Sequence, residues 1–176
     1  MGRGHDEVKE RINNLYHEHS DDIYQYIFFM IRDHGQAKDL MQDTFLRAYD
    51  NFHRFDGDNP RGWLFRIARN ITIDYIRRKK PITYFFDIGS INTQHEVSAE
   101  HVATLNESER ELYEAIGNLK VSYRDVILLR RIEGFSTEET ADILEWDESK
   151  VRVTLSRAMK ALKKQLGKED SNHEAI

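Results

Sequence analysis

The sequence predicts an all-α protein in which two small helical modules are joined by an acidic linker. Apolar residues recur with helical spacing along most of the 176 residues, and only two prolines interrupt the pattern. No stretch alternates apolar and polar residues as a strand would. Charge divides the chain further, because residues 81–109 carry five acidic residues and no basic one, whereas the flanking parts are nearly balanced.

The composition narrows the class of protein. The chain contains no cysteine, which excludes a disulfide framework and a thiolate zinc site and fits a reducing compartment. Its start is polar and lacks the apolar core of a signal peptide. The longest apolar run, Tyr26 to Ile31, is far shorter than the ~20 residues that span a bilayer. We therefore expect a soluble, cytosolic protein.

Three helical segments are predicted in the first module, residues 1–80. The first is one helix or a broken pair that stops at Gly35. The second, over residues 37–53, carries a clear apolar stripe. A turn then places Asn59 as the N-cap and Pro60 at the first position of a third helix, which ends before Pro81.

A linker is predicted over residues 81–107. It has no sustained period and no lysine or arginine. Its first part, Ile82 to Ile88, is too apolar for a free tether, so we expect it to dock, most simply on the first module.

The second module, residues 108–170, has the pattern of a helix-turn-helix, and residues 171–176 form a tail. Ser122 with Asp125 suggests a cap for a helix that runs through Ile132 and is closed by Gly134. Ser136 with Glu139 is a stronger capping box, opening a short helix through Leu144. A longer basic helix follows, as a helix-turn-helix requires.

That last helix points to duplex DNA. Six basic residues and no acidic one lie between Lys150 and Lys164. Arginine can bind guanine edges, serine is a general polar contact, and valine can meet a thymine methyl group. The alternative is a solvated basic face. The residues predicted to face outward are Arg152, Val153, Ser156, Arg157 and Lys160.

The helix over residues 61–80 suits single-stranded nucleic acid. It holds seven basic residues and one acid, Asp74, with Trp63, Phe65 and Tyr75 beside the arginines. Basic groups attract phosphates and aromatic rings stack on bases. The alternative, aromatics in the core and arginines on the surface, stays open on chemistry alone. Asp39, Gln42, Asp43 and Arg47 form the solvent face of the preceding helix.

Three motif blocks in order resemble the extracytoplasmic-function (ECF) sigma factors of the sigma-70 family. They are Asp39 to Phe45, then Trp63 to Asn70 with Asp74 to Arg78, then Leu128 to Ala158. The resemblance covers residues 10–167. It implies a sigma2-like bundle, a sigma4-like helix-turn-helix and an alternative sigma subunit that melts the minus-ten element and reads the minus-thirty-five element of a promoter.

The resemblance also implies partners and site residues. Core RNA polymerase would bind this chain through the β′ coiled coil and the β flap. The residues of this chain that would contact the β′ coiled coil are Asp39, Gln42, Asp43 and Arg47. Promoter DNA and a membrane-anchored anti-sigma factor are further partners, and neither cofactor nor metal is implied. The minus-ten strand would contact Trp63, Phe65, Arg66, Arg69, Asn70, Asp74, Arg77 and Arg78. The minus-thirty-five duplex would contact Arg130, Lys150, Arg152, Val153, Ser156, Arg157 and Lys160.

Ser149 stands where a glycine is common in the family, and Asp74 where another member has a polar amide.

Two other classes of protein stay open. A dimeric helix-turn-helix regulator explains residues 108–167 but gives no role to the basic, aromatic helix at 61–80. An enzyme acting on nucleic acid needs a nucleophile and surrounding cluster that we do not find, so no enzyme is expected.

Overall fold

The computed structural model describes residues 2–79 and 104–173 and confirms the all-α prediction. No strand occurs in these ranges, and none of their helices is long and apolar enough to cross a membrane. The predicted docking of Ile82 to Ile88 lies outside the described residues. The helices are α1 (Gly2–Ile31), α2 (His34–Asp50), α3 (Pro60–Lys79), α4 (Glu107–Gly117), α5 (Val121–Ile127), α6 (Thr137–Leu144) and α7 (Glu148–His173).

α1 is one continuous helix that buries Ile23, Tyr26 and Ile27 completely. It ends before Gly35, where the sequence placed its stop. Asp33 accepts a hydrogen bond from the Gln36 backbone N–H, so that α2 already begins at His34. The chain turns at Arg32, which has a left-handed φ of 60°.

α3 begins as the sequence predicts. The Asn59 side chain accepts a hydrogen bond of 3.0 Å from the backbone N–H of Gly62, satisfying a donor of the first turn. A Cβ atom on Gly62 would lie 2.5 Å from the Asn59 amide nitrogen, so a larger residue at position 62 would displace the capping side chain. Leu64 and Ala68 on this helix are completely buried.

In the second module, the predicted capping box of Ser136 and Glu139 is confirmed at the start of α6. The Ser122–Asp125 cap is wrong. α5 begins after Lys120 without a side-chain cap, and Asp125 is instead buried and bonded to the first module. A π-helical turn from Leu128 to Ile132 extends α5.

The two modules share a continuous core. The rings of Phe28 and Tyr113 stack with centroids 5.1 Å apart, and Phe65 meets Phe135 edge-on at 5.0 Å. At the end of α1, Arg32 binds Glu114 across the boundary at 2.6 Å. The modules therefore pack against each other directly, and the N-terminal half of α3 is covered on a second side.

Candidate nucleic-acid interface

The basic face of α3 lies at the boundary between the modules. Arg66 and Asn70 are exposed, whereas Arg69 is partly buried. Asp74 is half-buried, and Arg77 and Arg78 are exposed in the last turn. Arg66, Asn70 and Asp74 follow each other at intervals of four residues and therefore lie along one side of α3.

A cleft of about 820 Å³ opens beside this face, between α3 and α6. Trp63 forms one wall and stacks on Phe55, with ring centroids 4.7 Å apart. Arg66 and Asn70 line the cleft from α3, and Glu139 lines it from α6. The cleft combines an aromatic surface with cationic and amide donors, which is the chemistry that holds unstacked bases and phosphates.

Phe65 does not belong to this surface. Its side chain is 0% exposed and packs between Tyr26 and Phe135. It therefore offers no ring to a DNA strand in this structure, and its role as a strand contact stays a prediction. α3 has a second buried side because the second module packs on it.

Acidic residues of the second module contact the donors of α3 and of the loop before it. Arg61 binds Glu133 at 2.9 Å, Arg66 binds Glu145 at 2.6 Å, and Arg69 binds Asp125 at 3.2 Å. The Asn59 amide donates to Glu139 at 3.3 Å. Sequence reasoning gave Asp125 and Glu139 only capping roles and missed the contacts that these acidic residues make with the first module, because nothing in the local sequence indicates such distant partners.

Asp125 is the most deeply placed of them. Its carboxylate is 2% exposed, and it accepts hydrogen bonds from the Tyr26 hydroxyl at 2.8 Å and from Arg69 Nε. Burial raises the pKa of Asp125, against the opposing effect of Arg69 and the hydrogen bond from Tyr26. Burial also raises the pKa of Tyr26 well above its ordinary value. Both partners of this carboxylate belong to the first module.

Glu133 makes the folded state sensitive to pH. Burial and, secondarily, Asp22 raise its pKa to about 7, although Arg61 acts in the opposite direction. In the unfolded chain the carboxyl ionises near 4.5. The folded state therefore loses stability as the pH rises from about 4.5 to about 7, and the loss is complete above that range.

We expect Glu133→Gln to remove this dependence. Between pH 5 and pH 7.5, the free energy of unfolding of the variant rises relative to that of the wild type by on the order of 2 kcal/mol. Urea denaturation of both proteins at the two pH values measures the change, whatever their difference at pH 5. Parallel pH profiles would contradict the role of Glu133.

The outward face of α7 is exposed as predicted, including Val153, at 49%. Arg152 forms an exposed pair with Glu148 at 3.2 Å, which DNA can displace at little cost. Arg130 donates to the Phe135 carbonyl and shares a groove with Arg152, Ser156 and Lys160. Lys150 lies over the Trp146 ring at 4.2 Å. The predicted duplex-binding residues therefore share one region of the second module.

A third surface lies on α2. Asp39, Gln42, Asp43 and Arg47 are exposed there, and Arg47 also lines the cleft beside α3. The sequence analysis missed Leu46, which is 64% exposed among them. The available signal was that Leu46 lies off the apolar stripe of α2. A single exposed leucine is common on protein surfaces, but a partner that binds this side of α2 would bury the Leu46 side chain.

The three surfaces of this two-module helical protein are the exposed charged side of α2, the cleft beside α3 and the basic outward side of α7. The Sigma-70 region 2 family matches residues 15–82, and the Sigma-70 region 4 family matches residues 109–162. The chain belongs to the ECF sigma factors of the sigma-70 family. It is an alternative sigma subunit that recognises promoters and initiates transcription.

Similar proteins support the same family, and similar solved structures have the same fold. The chain is 34% identical to the ECF RNA polymerase sigma factor SigX of Bacillus subtilis, over 90% of this chain and 85% of SigX. Identity to SigM of the same organism is 32%, over 86% of this chain and 93% of SigM. RpoE of Bartonella quintana, solved with the anti-sigma factor NepR, has the same fold with a TM-score of 0.71 at 22% identity, covering 90% of this chain and 98% of RpoE.

A second solved structure, that of CnrH in complex with the cytosolic domain of CnrY, matches with a TM-score of 0.62 at 25% identity. It covers 90% of this chain and 89% of CnrH.

Proposed function

We propose that each of the three surfaces binds a different partner during transcription initiation. Residues 1–80 bind core polymerase through α2 and hold the non-template strand of the minus-ten element through α3. Residues 108–170 read the minus-thirty-five duplex through α7 and contact the polymerase β flap. The protein acts in the cytoplasm as a binding subunit and not as an enzyme.

The observation that carries this proposal is the cleft beside α3. In this cleft, Trp63 stacks on Phe55 next to Arg66 and Asn70. A regulator that binds only duplex DNA does not require such a cleft. A base turned out of the helix needs such a pocket, and turning it out costs a few kcal/mol. Binding to this surface would supply that free energy.

The direct test is run-off transcription. Core RNA polymerase with this chain is expected to start transcripts at discrete sites in a genomic fragment library, and core polymerase alone is not. Sites selected in this way also define the promoter sequence. Failure to produce any chain-dependent transcript, from a library that covers the genome, would overturn the proposal.

We expect Asn70→Ala to slow promoter opening without weakening duplex recognition. Asn70 is exposed and lines the cleft, so its amide can reach a flipped base. It does not belong to α7, so its loss should leave duplex binding by that helix unchanged. Removing one hydrogen-bonding partner of that base is expected to slow opening about tenfold. Permanganate reactivity of minus-ten thymines follows opening, while the affinity for a minus-thirty-five duplex is the control. Unchanged melting would make Asn70 a surface amide.

We further propose that an anti-sigma factor regulates this chain. The support is that RpoE and CnrH were each solved with a protein partner, an anti-sigma factor in the case of RpoE. The partner of this chain is expected to be membrane-anchored. Co-purification with the tagged chain from the membrane fraction of its native cells would detect this partner.

A further inference from the structure

An acidic residue lies in the first turn of the helix that is expected to read the minus-thirty-five duplex. Glu148 is the first residue of α7, and its side chain is 51% exposed. In a helix-turn-helix, the N-terminal residues of the second helix are the ones that contact base edges. A side chain at this position therefore reaches the major groove when α7 binds a duplex.

The capping role at this helix belongs to Asp147 and not to Glu148. The Asp147 side chain accepts a hydrogen bond of 2.7 Å from the backbone N–H of Lys150, which satisfies a donor of the first turn. The ammonium group of Lys150 in turn lies over the Trp146 ring at 4.2 Å. These contacts fix the first turn of α7, so the Glu148 side chain extends from a defined backbone position.

The carboxylate of Glu148 bonds to Arg152, one turn further along α7. Glu148 Oε2 accepts a hydrogen bond of 3.2 Å from Arg152 Nη1. Both side chains are more than half exposed, and an ion pair of this kind adds little to stability. The pair therefore contributes little to the fold, although it joins two side chains on the side of α7 that is expected to face DNA.

The contact with Glu148 leaves Arg152 able to bind guanine. A guanidinium group has five N–H donors, and the bond to Glu148 uses one of them, on Nη1. The edge formed by Nε and Nη2 stays available for the O6 and N7 acceptors of guanine. DNA can break the pair at little cost, but a bidentate contact with guanine does not require it.

A carboxylate has a preference of its own among the bases. When ionised it accepts hydrogen bonds and donates none, so in the major groove it pairs with the N4 amino group of cytosine. Thymine presents its O4 acceptor in place of that amino group, so the carboxylate would face a second acceptor. Glu148 is therefore expected to favour cytosine over thymine.

Glu148 and Arg152 are close enough to act on adjacent base pairs. Four residues of α-helix rise by about 6 Å, and successive base pairs are about 3.4 Å apart. Because a hydrogen bond joins the two side chains, their ends lie closer together than their backbones do. A guanine read by Arg152 and a cytosine read by Glu148 fit this spacing on neighbouring base pairs.

We propose that Glu148 is a specificity-determining residue for the minus-thirty-five element. Its carboxylate, held by Arg152, accepts a hydrogen bond from the N4 amino group of a cytosine beside the guanine that Arg152 reads. The two residues act as one unit, in which the acid sets the preference at one base pair and the arginine at the next. This inference rests on the proposed function, because it assumes that α7 binds the minus-thirty-five duplex.

The test compares the sequence preferences of holoenzymes assembled with variants of the full chain. Each holoenzyme is mixed with promoter duplexes randomised across the minus-thirty-five element, and the bound fraction is sequenced. For the wild type, we expect cytosine to be preferred about tenfold over thymine next to a preferred guanine, because thymine cannot donate to the charged acceptor. Titration of the two individual duplexes then measures the ratio directly.

Glu148→Gln is the decisive variant. It keeps the size of the side chain but adds an NH₂ donor, so the residue can bond to thymine O4 as well as to cytosine N4. We expect the ratio of cytosine to thymine at that position to fall below about threefold. The preference for the neighbouring guanine is expected to persist, because Arg152 is intact. An unchanged ratio of cytosine to thymine would overturn the proposal.

The matched control is Glu138→Gln, which removes one charge from an exposed position in the first turn of α6. Loss of a negative charge strengthens binding to all duplexes alike, through the phosphates, so no ratio between bases is expected to change. A role of Glu148 confined to helix stability would likewise leave every ratio unchanged. If the control lowers the ratio of cytosine to thymine as much as Glu148→Gln does, the effect is one of net charge and the proposal fails.

Arg152→Ala tests whether the two residues act together. Without the guanidinium group the Glu148 carboxylate loses its support, so the preference for cytosine is expected to weaken. Adding Glu148→Gln to Arg152→Ala is then expected to change the ratio little further, as for two residues that share one interaction. An effect of Glu148→Gln that is equally large with and without Arg152 would overturn the joint role.

The same data separate this inference from the proposed function. If the wild-type holoenzyme shows no base preference across the minus-thirty-five element, α7 does not read the duplex and the proposed function fails. If guanine is preferred at one position but Glu148→Gln leaves the preferences at the neighbouring base pairs unchanged, only the role of Glu148 fails.

Discussion

Replacing Asp39 and Asp43 by lysine is expected to abolish co-purification of the chain with core RNA polymerase. The two carboxylates are exposed and four residues apart on α2, so both face a partner that binds this side. Reversal changes four units of charge within one interface, and like-charge contacts there cost several kcal/mol. We expect affinity for core polymerase to fall at least about 100-fold, measured by fluorescence titration.

The control has the same charge change on another helix. Glu18→Lys with Asp21→Lys reverses two exposed acidic residues of α1 and is expected to leave polymerase affinity within about twofold, as surface substitutions outside an interface usually do. Circular dichroism should show unchanged helix content in both variants. Survival of polymerase binding after the Asp39 and Asp43 reversal would remove α2 as the docking surface.

Leu46 tests whether the same surface has an apolar centre. It is the most exposed large apolar side chain in the described part of the chain, between the predicted polar contacts. Truncation to alanine keeps the helix and removes only the side chain that a partner would bury. A loss of about tenfold in polymerase affinity is expected for such an anchor.

The features that the sequence predicted correctly are local ones. The Asn59 cap and the Ser136–Glu139 capping box involve residues three positions apart, and the structure contains both. The apolar stripe of α2 is likewise a property of one helix. A short-range interaction leaves its complete pattern in the sequence, so it can be read without knowing the fold.

The features that the sequence did not reveal are contacts between the modules. Ser122 with Asp125 has the spacing of a cap, but Asp125 binds Tyr26 and Arg69, which precede it by 99 and 56 residues. Phe65 lies beside the apolar stripe of α3 and is buried because Phe135 of the second module packs on it. Neither partner can be chosen from the sequence, because helical periodicity fixes the face of a residue and not its neighbour.

The second large effect is expected on affinity for the minus-thirty-five duplex, when arginines of α7 are truncated. Arg152 and Arg157 are exposed on its outward face, five positions apart, so they reach neighbouring base pairs and not the same one. If each makes a bidentate contact to guanine, truncation to alanine costs roughly 1–3 kcal/mol on the matched site and much less on a site that lacks the guanine. Holoenzyme titration of matched and base-substituted minus-thirty-five duplexes measures the difference.

Lys163 and Lys164 provide the matched comparison within the same helix. They are exposed further along α7, where phosphate is the nearer ligand. Their loss is expected to weaken all duplexes alike and to lower the slope of affinity against salt by about one per phosphate contact. Titration at two salt concentrations separates the two classes, because a base contact changes the ratio between duplexes and a phosphate contact changes the slope. If Arg152→Ala or Arg157→Ala weakens both duplexes equally, these arginines only position the helix, and base reading falls to Val153, Ser156 and Arg130.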